Sequence, residues 1–319
     1  MKNAIRLAIL CIVVGLVGVA FFGFEFGDKR EDYEQELSFH AEDVDSLLVQ
    51  TEDSTRIIFT PSDENNVSVH FKGKWNTDTI QRIKQLQPEN ALLTVDTRSK
   101  DSFSFFSFTT DFSKNIMEIS IPKEKWLTEV TLDNVSSDND IAGLYAKRIT
   151  LKSTSGNLNL NNIQADELSI KLTSGKMKAD QVKVSENASF ELTSGNVKLS
   201  SMEANETTMK LQSGDVQVED IQGNVKVSLT SGNLKVNGLS GEGTIRVKSG
   251  NIHLVQKTTG NLDIETISGN INVVAASDFA GFYDAQAVSG NVRTPDSLRT
   301  GTELMKIRST SGDINVTQP

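Results

Sequence analysis

A Ser-Gly pair recurs nine times at nearly equal intervals in the second half of this 319-residue chain, and each pair is locked to the same apolar pattern. The glycines are Gly156, Gly175, Gly195, Gly214, Gly232, Gly250, Gly269, Gly290 and Gly312, spaced 19, 20, 19, 18, 18, 19, 21 and 22 residues apart. Apolar residues stand two and four positions after most of them, as in Leu158 and Leu160, Val197 and Leu199, or Ile252 and Leu254. Others stand five and three positions before, as in Ile170 and Leu172, Phe190 and Leu192, or Val227 and Leu229. Polar residues such as Lys171, Glu191, Lys198, Lys210, Lys235 and Arg246 alternate with them. Alternation of period two means strands with one face inside and one in solvent.

One repeat is therefore a short strand, a Ser-Gly-Asn corner, a second strand and a turn. About 19 residues is too short for a helical repeat or a propeller blade and suits one coil of a parallel β-solenoid. Ten stacked coils at ~4.8 Å make a rod roughly 45–50 Å long. The fold class is all-β. A third apolar residue seven positions after the corner (Ile163, Val182, Met202, Ile221, Leu239) is expected to fill the remaining side of the coil. Glycine permits a positive φ at the bend. Stacked serines are expected to hydrogen-bond along the axis, and stacked asparagines to satisfy the backbone of the turn. A decayed copy in "SDNDI" is expected to place Asn139 in the glycine slot.

The start of the chain reads differently. Leu7 to Phe24 is an uncharged run of 18 residues, preceded by Lys2 and Arg6 and followed by Glu25 and Asp28. As a helix it spans ~27 Å, enough for a bilayer core. The charge asymmetry puts the N-terminus in the cytoplasm and the body outside, as a single-pass plasma-membrane protein. A cleaved signal peptide, with Ala20 at the cleavage point, is the alternative. Cys11 is the sole cysteine, so there is no disulfide framework and no cysteine metal cluster. It lies within the apolar run, after bulky Leu10, and reads as a packed or lipid-facing residue rather than a lipidation site. This organisation divides the chain into a membrane anchor at 1–27, irregular β-rich first coils or a cap at 28–130, and the repeat solenoid at 131–319. An independent β-sandwich is the alternative for the middle segment.

That segment is strand-rich, and "LLVQTEDSTRIIF" reads as a glycine-less version of the later repeat. "TDTIQRIKQLQ" is its one short helix candidate. The phenylalanines Phe103, Phe105, Phe106 and Phe108 are expected in the core rather than on a carbohydrate-stacking surface. Trp75 and Trp126 are the stronger surface-binding candidates, though each could equally close the end of the core. Residues 275–286, where the period lengthens, are expected to bulge and carry Phe279, Phe282 and Tyr283 outward. Lys198 and Lys235 stand for the outward cations, with Lys171, Lys210, Lys226 and Arg246, and could form a stripe against an anionic polymer.

The tandem Thr-Ser-Gly-Asn/Asp units resemble a bacterial putative-adhesin family of unknown function. With the short anchor ahead of them, the arrangement is similar to the LiaG-type membrane proteins of envelope-stress operons. The likeness spans about residues 40–319. It implies a right-handed β-helix outside the membrane, with no catalytic residues to carry over. Only corner positions such as Ser231, Gly232 and Asn233 match the shared pattern.

Formal net charge is −10, which disfavours nucleic-acid phosphates. The three histidines, His40, His70 and His253, have no metal-ligand spacing, and no cofactor is implied. The reading is a non-enzymatic envelope protein that binds a wall polymer or another envelope protein. A β-helix polysaccharide lyase or hydrolase is the alternative. Such chemistry needs clustered carboxylates, whereas Asp263 and Glu265 align with Thr244 and Arg246 of the preceding coil.

Overall fold

A computed structural model describes residues 30–52, 55–98 and 115–319. The apolar run at 7–24, with Cys11, and the four phenylalanines at 103–108 lie outside the described residues. Among the described residues no helix is long and apolar enough to cross a membrane.

The chain enters on β1 (Arg30–His40), β2 (Ser46–Thr51), β3 (Thr55–Ser62) and β4 (Asn66–Asn76). A short helix follows, α1 (Thr77–Lys84), then β5 (Leu92–Asp96), β6 (Asn115–Pro122) and β7 (Trp126–Ser136). The repeat region begins with long strands that each run from one corner to the next. These are β8 (Asn139–Ser155), β9 (Leu158–Ser174), β10 (Met177–Ser194), β11 (Val197–Ser213) and β12 (Val216–Ser231). Shorter strands complete it: β13 (Leu234–Ser240), β14 (Gly243–Ser249), β15 (Ile252–Gln256), β16 (Leu262–Ser268) and β17 (Ile271–Val274). The last are β18 (Phe282–Ser289), β19 (Val292–Arg293), β20 (Leu304–Ser311) and β21 (Ile314–Thr317).

These strands form a parallel β-solenoid of about ten turns. Successive coils pair in register, Leu158 with Met177, Met177 with Val197, and Val197 with Val216. The alternating apolar residues face inward as expected: Leu158, Ile170, Phe190, Val197 and Val227 are fully buried. So are Ile163, Val182, Met202, Ile221 and Leu239, the third side of the coil.

The corner glycines stack on one another. φ is +138° at Gly195, and a Cβ there would lie 1.8 Å from the Gly175 carbonyl oxygen. Both the backbone conformation and the close approach therefore require glycine. Beside them runs the asparagine ladder. Asn196 Oδ1 accepts from Asp215 N–H at 3.1 Å, Asp215 Oδ1 from Asn233 N–H at 2.8 Å, and Asn233 Oδ1 from Asn251 N–H at 3.0 Å. The serines pair in register, yet their axial bond runs through the backbone: Gly195 N–H donates to the Ser213 carbonyl at 3.1 Å. The decayed corner also corrects the sequence register. Ser137 occupies the glycine slot against Gly156, Asp138 takes the ladder position, and Asn139 turns inward to bond the Ser137 carbonyl.

At both ends the spatial order of coils departs from the chain order. At the start, β2 stacks directly on β7 and β3 on β8. The strands that follow them in the chain, β5 and β6, lie on the other side of β2 and β3. At the finish, β16 and β17 pair with β20 and β21. The intervening strands β18 and β19 lie outside those. The C-terminal coil is thus inserted between its two predecessors.

The N-terminal end is capped. β4 adds antiparallel to β6, and β1 antiparallel to β4. Helix α1 begins where Asn76 Oδ1 accepts from Thr79 N–H at 2.7 Å, the side-chain cap its first turn needs. It turns Ile80 and Ile83 into the core.

A candidate binding groove on the solenoid flank

Strand alternation makes columns along the rod. Outward side chains four residues before each corner stack as Asp133, Lys152, Lys171, Glu191, Lys210, Ser228 and Arg246. Those two residues before it stack as Thr154, Thr173, Thr193, Gln212, Thr230 and Lys248. The two columns line a groove of about 710 Å³ across seven successive coils. At ~4.8 Å per coil its length is roughly 30 Å.

The groove is cationic on an acidic chain: five Lys and Arg side chains against Asp133 and Glu191. Glu191 bridges two of them, 2.9 Å from Lys171 and 3.8 Å from Lys210. The hydrogen bond from Lys171 holds its carboxyl below the usual glutamate value, with the charges of Lys171 and Lys210 in support. Arg246 is engaged from outside the groove by Asp263 and by Glu265 at 3.0 Å. Among the described residues, no ion pair forms at Lys152 or Lys248. The groove therefore offers a row of hydroxyls beside cations repeated along the axis, which suits a linear, hydroxyl-rich anionic chain lying across the strands.

Of the sequence candidates, Lys171, Lys210 and Arg246 line the groove, and the others fall elsewhere. Trp75 is 2% exposed and packs edge-on against Phe71, rings 5.9 Å apart, so it closes the N-terminal core instead of marking the surface. Trp126 is 48% exposed, its ring 6.1 Å from Tyr145. Phe279 is also buried, 4.9 Å from the ring of Tyr283, because the open end of the core needs a plug. Tyr283 is partly buried and donates to Gln318 Oε1 at 2.9 Å. Phe282 alone of that trio points out. Lys198 and Lys235 are exposed three residues after their corners, on a different column from the groove. The cations grouped as one stripe thus divide among three columns, and Lys226 is tied to Glu206 at 2.6 Å.

No single residue announced the groove. Its hydroxyl wall is the threonine of the Thr-Ser-Gly corner, which reads as turn chemistry until coils are stacked. Asp263 and Glu265, the carboxylates considered for catalysis, both face Arg246.

No curated protein matches the chain. Among solved structures it is similar to a putative adhesin from Parabacteroides distasonis ATCC 8503, at 12% identity and a TM-score of 0.44, covering 89% of this chain and 97% of that one. A putative adhesin from Bacteroides fragilis NCTC 9343 matches at 12% identity and 0.42, over 91% and 100%. A protein described as a putative lipid binding protein, also from Parabacteroides distasonis, matches at 14% and 0.41, over 91% and 97%. The family model for Toastrack DUF4097 matches twice, over residues 44–224 and 184–317, and the chain belongs to that family.

Proposed function

We propose that this protein is a non-enzymatic binding protein of the bacterial envelope whose flank groove holds a linear anionic wall polymer. Residues 7–24 anchor it as a single-pass plasma-membrane protein with the solenoid outside the cytoplasm. The likeness of the anchor and repeats to LiaG-type proteins supports a role in the envelope-stress response. The observation that carries the reading is the alignment of four threonines, Thr154, Thr173, Thr193 and Thr230, with five Lys and Arg side chains along one groove. The adhesin descriptions of the similar structures accord with a binding role.

The test is co-sedimentation of the full chain with purified wall, intact or stripped of its anionic polymer, over a range of salt. Binding is expected only to intact wall and is expected to weaken with ionic strength. The Lys152→Ala, Lys210→Ala, Lys248→Ala variant is expected to bind roughly tenfold more weakly. Equal binding to stripped wall, or an unaffected variant, would overturn the reading.

A further inference from the structure

The two ends of the rod are built differently. The N-terminal edge strand β1 carries Glu31, Asp32, Glu34 and Glu36. Charged edges resist pairing with another sheet. At the other end the outermost strand, β18, pairs with β20 on one side only among the described residues. It has no proline, and Asp284, its sole charge, is engaged by Arg308. Of the nine large apolar side chains exposed among the described residues, five lie at this end: Phe282, Val288, Val292, Leu298 and Leu304. A cluster of that kind marks an interaction surface.

The backbone of β18 says how it is presented. Phe282 N–H donates to the Glu303 carbonyl. In a strand, residues two apart point their backbone groups the same way. Phe282, Asp284, Gln286 and Val288 therefore turn theirs toward β20. Tyr283, Ala285 and Ala287 turn theirs outward. Ser297 Oγ accepts from Tyr283 N–H at 2.9 Å, which leaves the edge open at Ala285 and Ala287.

We propose that this edge pairs with β18 of a second copy, antiparallel about a twofold axis at Ala285, joining two rods end to end. The strand is self-complementary in that register. Ala285 faces its own counterpart as a hydrogen-bonded pair, and Ala287 faces Tyr283 in the next such pair, where the Ala287 carbonyl of the other copy takes the place of Ser297 Oγ on the Tyr283 N–H. Phe282 faces Val288 of the other copy, and the reverse, in non-hydrogen-bonded pairs where side chains approach most closely. Asp284 faces uncharged Gln286, so no like charges oppose directly. A single shared patch serving both copies is the condition for a twofold interface.

The experiment uses the full chain in detergent. In a Cys11→Ser background, Gln286→Cys is expected to give a covalent dimer with bismaleimidoethane, and Lys235→Cys on the flank is expected to give none. Light scattering of the chain with its natural sequence is expected to show twice the mass of one chain. Val288→Lys, at a position 85% exposed and therefore compatible with folding, is expected to halve it. Glu36→Lys at the opposite end is expected to leave it doubled. A monomeric unmodified chain, a Val288→Lys variant that stays dimeric, or equal crosslinking through Lys235→Cys would each overturn the proposal.

Discussion

Gly312 lies against Gly269, although the Gly290 corner stands between them in the chain. A Cβ on Gly312 would meet the Gly269 carbonyl oxygen at 2.1 Å, and one on Gly290 would meet that of Gly312 at 2.2 Å. The asparagine ladder takes the same route: Asp313 N–H donates to Asn270 Oδ1 at 2.9 Å, and Asn291 N–H to Asp313 Oδ1 at 2.8 Å. Removing the last coil should therefore release two. A chain ending after residue 300 loses β20 and β21, the sole sheet partners of β18 and β19 among the described residues. Limited proteolysis of that truncation is expected to cut throughout 275–299 while 139–274 stays protected. Protection of 282–293 would show that β18 and β19 pair elsewhere.

The glycine and asparagine ladders should differ sharply in what they contribute. Gly195→Ala places a side chain at φ +138° and 1.8 Å from a neighbouring carbonyl. Backbone strain and the clash together should destabilise by about 3 kcal/mol or more. Asn196→Ala removes the acceptor for Asp215 N–H on an exposed turn, a loss of about 1 kcal/mol. Urea denaturation midpoints of the two variants measure the contrast. Equal midpoints would mean that the coils shift to accommodate a Cβ.

The coil period was legible because each corner repeats one backbone requirement in one residue type. A second corner, six residues after the glycine, was not. There Asn162, Gln181, Ser201 and Asp220 adopt φ of +52° to +54°, and four different polar residues leave no common letter in the sequence. Coil order was hidden for a related reason: Ile271 and Val273 could stack on any coil with the same alternation. The residual signal was size. Met305, Ile307, Ile314 and Val316 are fully buried core residues, whereas the coil that ends the stack offers Ala285 and Ala287. An end coil has no neighbour to pack large inward side chains against. The groove was illegible because it belongs to columns, each of whose members comes from a different coil.

At the second corner the strain should be removable. Gln181 holds φ +53°, a left-handed conformation costly for a residue with a Cβ. Gln181→Gly is expected to stabilise the protein by about 0.5–1 kcal/mol after the entropy of the unfolded glycine is deducted. A higher urea midpoint checks this. A lower midpoint would show that the Gln181 side chain supplies an interaction that outweighs its backbone cost.

Arg308 and Asp284 tie the outermost coil to the inserted one. The Arg308 hydrogen bond holds the Asp284 carboxyl below its ordinary value of 3.8. A depressed carboxyl contributes stability above its unfolded pKa and loses it as pH falls through the folded one. The contribution is therefore present at neutral pH and disappears progressively below about pH 4. Arg308→Gln should destabilise at pH 7, by under about 1 kcal/mol because the pair is solvent-screened, and the gap should close in acid. Denaturation at pH 7 and pH 3 reads it. A gap that persists at low pH would assign the effect to Arg308 packing.

The two tryptophans separate the buried end of the rod from its flank. Trp75 is 2% exposed and Trp126 is 48% exposed. Acrylamide should quench only part of the emission, and Trp126→Phe should leave a blue-shifted signal that resists quenching. Removing the buried ring by Trp75→Ala should cost about 3–5 kcal/mol, through lost burial and the cavity left beside Phe71. Trp126→Ala should cost under about 1 kcal/mol, because half of that ring is already in water. If Trp126→Ala destabilised as much as Trp75→Ala, the flank ring would be a structural element of the coil. If it did not, Trp126 would remain free, beside Tyr145, to meet a ligand without any cost to the fold.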